Sequence, residues 1–218
     1  MYFKKPSPFT HVQQNMTVYL FMSILFLTGI IFGAVVVNSM SFIQKQDLYF
    51  HLERYFHQLI DGQIIPNKDI FKKSFFHHFK MLFLLFVLGL SVIGLPIVWI
   101  SIFIKGLVIG FSVGFIVNQL GFKGLLLATF SIAPQNLIII PIYIIAGSFS
   151  MVYSLTLFHK LFSRSVSQSI FKPFVQYSAV FFVLVLGSVF GSFLEAFVSN
   201  EAFKTLLRNT TLFIINII

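Results

Sequence analysis

From Thr17 onward the chain is a succession of apolar runs, each close to membrane length, separated by short polar or basic stretches. A helix rises 1.5 Å per residue and a bilayer's hydrocarbon core is about 30 Å thick, so about twenty apolar residues cross it. The runs predict helices at about Thr17–Val37, Lys80–Phe103 and Ile104–Leu120, one within Leu125–Phe158, and one at about Val175–Val198. The expected fold is therefore all-α. It is a polytopic transmembrane helical bundle of about five spans, forming a single integral membrane domain over residues 1–218, with a short amphipathic helical outer segment.

Two stretches fit the length rule poorly. Gly106–Leu120 is short for a span and has to borrow residues before Lys105. Leu125–Phe158 is too long for one upright helix and contains Pro134 and Pro141, each of which removes a backbone donor and kinks a helix. A tilted, broken or partly re-entrant element is expected there. Unwound backbone at membrane depth is tolerated only where protein or water covers it.

Between the first two runs lies the segment 38–79, where the pattern changes. Leu48, Leu52, Tyr55, Phe56 and Leu59 recur at helical spacing, with Asp47, Glu53 and Arg54 on other faces. Gly62 is placed to end this helix, and Pro66–Asn67 to start another with Asp69 in its first turn. That second helix is expected to run straight into the second span. Two readings stay open for the hairpin: a helix lying flat at the lipid interface, or a docking surface for a partner. For docking, the candidate face is Leu48, Leu52, Phe56 and Leu59.

Composition sharpens the class. Apolar residues make up 57% of the 218 and charged residues 10%, where a soluble domain carries about a quarter charged. A chain of this size cannot hide that much apolar surface inside one soluble core. Cysteine is absent, so disulfides and thiolate metal sites are excluded. The formal charge of +9 does not indicate nucleic acid, because the basic residues are scattered at helix ends rather than gathered in a patch. The 31 phenylalanines suit lipid-facing and bundle-filling positions and imply nothing further.

Basic residues beside short loops set orientation. With the N-terminus in the cytoplasm, Lys4, Lys5, Lys105, Lys160, Arg164 and Lys172 fall inside. All 6 acidic residues, Asp47, Glu53, Asp61, Asp69, Glu195 and Glu201, then fall outside or at the outer boundary. The expectation is a multi-pass cell-membrane protein with the N-terminus inside and the C-terminus outside. The basic start followed by a long apolar run reads as an uncleaved first span rather than a signal peptide.

The candidate site residues are few. Gly29 and Gly33, Gly106, Gly110 and Gly114, and Gly187 and Gly191 place small residues four apart, which lets a second backbone approach closely. They are expected in helix packing, with self-association as the other use. Glu195 is the one acidic residue near the interior of a span, about a turn from its end, with no obvious ionisable partner. Lys105 is expected to reach the inner surface. Gln135 and Asn136 are amides in an apolar run directly after Pro134, suited either to satisfying freed backbone or to a substrate-binding broken helix. His51, His57, His77 and His78 lack the i, i+4 spacing of a zinc-binding helix, and no cofactor is expected. No paired carboxylate, nucleophile elbow or phosphate-binding glycine loop is present, so an enzyme is not expected.

Three runs, IFGAVVVNS (Ile31–Ser39), GLSVIGLPIVWISIFIKGLVIGFSVGFI (Gly89–Ile116) and APQNLIIIPIYI (Ala133–Ile144), stand in the order seen in stage II sporulation protein M of endospore-forming bacteria, which the chain resembles over essentially its full length. The resemblance implies a non-enzymatic membrane scaffold active in engulfment, located in the mother-cell septal and engulfing membrane. It would anchor and localise two peptidoglycan-degrading partners, stage II sporulation proteins D and P, whose wall cleavage thins the septum. The broader family tends to carry Pro-His-Gly with a following acidic residue in span four. This chain has Pro134–Gln135–Asn136 and Ile139 there, a departure that favours the scaffold. The alternative is a small secondary transporter or channel, with the Pro134–Pro141 break as its site and Glu195 as its coupling group. The outer hairpin Phe42–Phe79 and the tail Asn200–Ile218 are the surfaces expected to meet partners.

Overall fold

The computed structural model describes residues 13–60, 66–162 and 171–199. Within them every regular element is helical: α1 (Met16–Ser39), α2 (Phe42–Ile60), α3 (Asn67–Gly89), a 3₁₀ turn (Val92–Gly94), α4 (Leu95–Ser131), α5 (Ala133–Phe162) and α6 (Phe171–Phe193), which continues as a π-helical turn over Leu194–Ser199. Four segments are long and apolar enough to cross a bilayer: Met16–Ser39, Val92–Ser131, Ala133–Lys160 and Phe171–Ser199. The fifth bundle member, α3, is apolar only in its second half. It packs along α5 and α6 through a stripe of Ser74, His78, Leu82, Leu85 and Gly89.

Contacts fix the helix directions. Gly29 packs at Phe103 and Leu107, and Gly33 at Leu107 and Phe111, while Gly106 and Gly110 pack back onto Phe26 and Ile30. The register advances together, so α1 and the first arm of α4 run parallel with their backbones in contact. A Cβ at Gly110 would lie 2.7 Å from the backbone of Ile30, so only glycine permits this approach. His78 meets Tyr143 and the Leu85 carbonyl meets Ser150, which makes α3 and α5 parallel. Tyr177 meets Phe86 and Gly191 meets Ile139, which sets α6 antiparallel to both. The start of α1 and the end of α6 thus lie at opposite ends of the bundle. Gly187 and Gly191 leave room for the side chains of Ile142 and Ile139 on α5.

The boundary between the second and third spans differs from the sequence reading. The chain turns at Ser91–Gly94 rather than near Phe103, so Lys80–Phe103 is not one helix. Its first part ends α3, and the remainder, from Leu95, opens α4. The turn depends on Gly94, whose absent Cβ would sit 2.8 Å from the Leu88 carbonyl carbon, and on Pro96 in the first turn of α4. The short third run does extend backward past Lys105. Further on, Gly121 adopts φ 57° and ψ −134°, outside helical space, and divides α4 into two arms. The second arm leads through Ile132 into α5, where Pro134 stands in the first turn and Pro141 is carried inside the helix.

Tyr177 locks the inner core. It donates to the Phe86 carbonyl at 2.9 Å, stacks on Tyr153 with centroids 4.4 Å apart, and stacks on Phe86 at 5.1 Å. Ser150 donates to the Leu85 carbonyl at 2.9 Å, so α3, α5 and α6 are joined at one level by polar groups that a bilayer would leave unpaired.

Candidate functional site

The stripe that buries Leu82 and Leu85 of α3 continues upward by helical spacing to His78 and Ser74. Those two polar side chains are therefore carried into the bundle, while adjacent His77 points to an exposed face. Opposite them, the π-helical turn widens the last turn of α6 and brings Glu195 round to α3. The Ser74 hydroxyl donates to Oε2 of Glu195, and Nε2 of His78 lies 3.8 Å from the same oxygen. The other imidazole nitrogen, Nδ1, is 2.9 Å from the hydroxyl of buried Tyr143 on α5. Three helices thus converge on one imidazole.

Lys105 completes the group from α4. Its Nζ stands 4.9 Å above the Tyr143 ring and 3.5 Å from His77 Nε2. Its neighbour Gly106 packs on Phe26 and Ile30, near the middle of α1, so Lys105 belongs about halfway along the bundle, roughly 15 Å from either end of that helix. This corrects its expected position at the inner surface. Glu195 is likewise not without an ionisable neighbour, and it faces the same space as Lys105. Its partners lie on α3 and α4, far away in sequence.

That space is a cavity of about 400 Å³ among α3, α4, α5 and the end of α6. Gln135, Asn136 and Glu195 all line it, joined by His77, His78 and Lys105. Asn136 donates its amide to the Ile132 carbonyl at 2.8 Å, satisfying backbone beside Pro134. Among the described residues Gln135 Oε1 is buried without a hydrogen-bond partner. Ile139 lines the wall as well. Histidine and acid meet at this site, supplied by α3 and α6.

The other candidate residues lie elsewhere. Gly29, Gly33, Gly106 and Gly110 form the α1–α4 seam, with Gly114 beside Ala34 at its end. Leu48 and Leu52 are half-buried on α2. The side chains of Phe56 and Leu59, the Gly62 helix stop and the tail from Asn200 lie outside the described residues. His78, Ser74 and Tyr143 were missed by sequence reasoning. Their signal was the i, i+4 spacing of Ser74 and His78, in phase with the apolar stripe below them.

Residues 22–200 match the family model described as stage II sporulation protein M. No curated protein and no solved structure matches the chain.

Proposed function

Because the chain belongs to the stage II sporulation protein M family, a family of sporulation membrane proteins, we propose that it is a non-enzymatic membrane scaffold. In this reading it anchors and localises the peptidoglycan hydrolases that thin the septal wall and drive engulfment, stage II sporulation proteins D and P. The observation that carries the reading is α2. Among the described residues this amphipathic helix makes almost no contact with the bundle, and Phe42 and Ile43 at its start are 78% and 77% exposed. It joins the end of α1 to the start of α3, on the side assigned to the outside, where wall hydrolases work. A helix tethered at both ends and left unpacked by its own bundle offers an apolar face to a partner.

The test is affinity capture of the tagged full-length protein from detergent-solubilised membranes of sporulating cells, followed by mass spectrometry. Wild type should recover both hydrolases above an unrelated polytopic control. A variant with Leu48→Asp and Leu52→Asp should insert normally and recover neither. Undiminished recovery from that variant would remove α2 from the interface, and no recovery by wild type even after crosslinking would remove the scaffold role.

One observation favours a second reading, a small transporter or channel: Gln135, Asn136 and Glu195 line the same cavity. Under that reading Glu195→Gln abolishes flux in proteoliposomes and leaves hydrolase capture unchanged.

A further inference from the structure

We propose that the cavity among α3, α4, α5 and α6 is a binding site for a phosphate-class oxyanion, independently of any scaffold role. The charge arrangement carries the argument. Glu195, the one carboxylate on the wall among the described residues, is already engaged by Ser74 and by the imidazole of His78. Lys105 is not matched in the same way. Among the described residues no carboxylate lies within 4.0 Å of its ammonium. Its contacts are a ring face and one imidazole nitrogen at 3.5 Å, beyond the usual range for such a bond. Glu195 faces Lys105 only across the cavity, beyond ion-pair distance and already engaged, so an ammonium held halfway along a membrane bundle remains costly there, and an anion in the adjoining space lowers that cost.

Independent features of the wall point to the same sign of ligand. Among the described residues the amide oxygen of Gln135 is buried without a partner, and rotating that amide by a half-turn presents its NH₂ group instead. Gln135 also stands in the first turn of the 30-residue helix α5, where the helix dipole favours negative charge. Lys73 stands on the wall too, contributed by α3. Donors thus come from α3, α4 and α5, three separate directions. That arrangement suits a tetrahedral oxyanion better than a planar carboxylate, which accepts mainly in one plane. The space of about 400 Å³ holds a phosphate group together with water.

The phosphate can arrive as free inorganic phosphate or as the headgroup of a membrane lipid, and the test separates the two. The full-length protein is purified in detergent. Binding of radiolabelled inorganic phosphate is measured by scintillation proximity, and co-purified lipid is identified by native mass spectrometry. Saturable phosphate binding that weakens about tenfold or more in Lys105→Met, the loss of one charge-assisted hydrogen bond, and persists in Lys105→Arg establishes the site for the free anion. A phosphate-headgroup lipid retained by wild type and Lys105→Arg but lost from Lys105→Met establishes it for lipid. Equal binding by Lys105→Met, or neither ligand on monodisperse wild-type protein, overturns the proposal. Gln135→Leu, which carries no charge change, should weaken the same binding and guards against a folding defect in the lysine variant. Hydrolase capture by Lys105→Met remains at the wild-type level, so failure of this site and failure of the scaffold reading are distinguishable.

Discussion

The Ser74 hydroxyl donates to the Glu195 carboxylate across 121 positions of the chain. Through that contact the end of α6 is fastened to the upper half of α3, the least apolar helix of the bundle. Without it the π-helical turn would keep only the longer contact to His78 as a polar anchor on α3, and the buried Ser74 hydroxyl would lose its acceptor.

Glu195→Ala is therefore expected to destabilise the bundle by about 1–3 kcal/mol, the cost of leaving buried partners unmatched. Glu195→Gln keeps an acceptor for Ser74 and should lose less than half as much. Thermal unfolding of the detergent-purified variants, followed by circular dichroism, decides this. Equal midpoints for Glu195→Ala and wild type would show that the contact contributes nothing.

The α1–α4 seam gives a graded series. At Gly110 a Cβ meets the Ile30 backbone, which cannot yield, whereas at Gly114 the nearest atom is Ala34 Cα at 3.3 Å. Gly110→Ala should cost about 1–3 kcal/mol, as overpacking does, and Gly114→Ala clearly less. Gly121→Ala meets no atom within 4 Å but must adopt φ 57°, a strain of about 1–2 kcal/mol. Yields of monodisperse protein should be highest for Gly114→Ala and lower for Gly121→Ala and Gly110→Ala, and a Gly110→Ala protein as stable as wild type would mean the two backbones are not in contact.

Tyr177→Phe removes one hydroxyl from a stacked ring and leaves the Phe86 carbonyl unpaired. A loss of about 1 kcal/mol is expected. Ser150→Ala should cost a similar amount, and the double variant less than the sum, because the two hydroxyls lie 3.3 Å apart and share the Leu85 carbonyl. Strict additivity in a double-mutant cycle would show that the hydroxyls act separately.

The parallel and antiparallel register of the spans places the two ends at opposite ends of the bundle, and the distribution of basic residues predicts a cytoplasmic N-terminus. Reporter fusions should show a cytoplasmic reporter active at the N-terminus and an exported reporter active after Ser199. Both ends reporting from the same side would require an even number of crossings.

The apolar run lengths revealed the bundle in the sequence, because a bilayer imposes that length on every crossing. The turn at Ser91–Gly94 was hidden, since Val92, Ile93 and Leu95 continue the apolar run and only Gly94 and Pro96 interrupt it. The site was half legible. Glu195, Gln135 and Asn136 stood out as polar groups in apolar surroundings, while His78 lay in a stretch rich in lysine and read as part of the outer segment. Lys105 reads as an end-of-span residue because the apolar run barely marks the turn at Ser91–Gly94 that sets where α4 begins. Chain topology, which no local pattern encodes, brought these groups together.

The glycine seam has a consequence for how the protein is made. Gly29 and Gly106 belong to segments roughly 80 residues apart, so at ordinary elongation speeds α1 waits on the order of ten seconds for its mate to leave the ribosome. During that interval its bare backbone groove faces lipid, and any other insertion intermediate with a small-residue face is a competitor for it. A nascent chain halted before Leu95 should therefore be the species most prone to mispairing and to removal by membrane proteases, and release past Gly114 the step that ends its vulnerability.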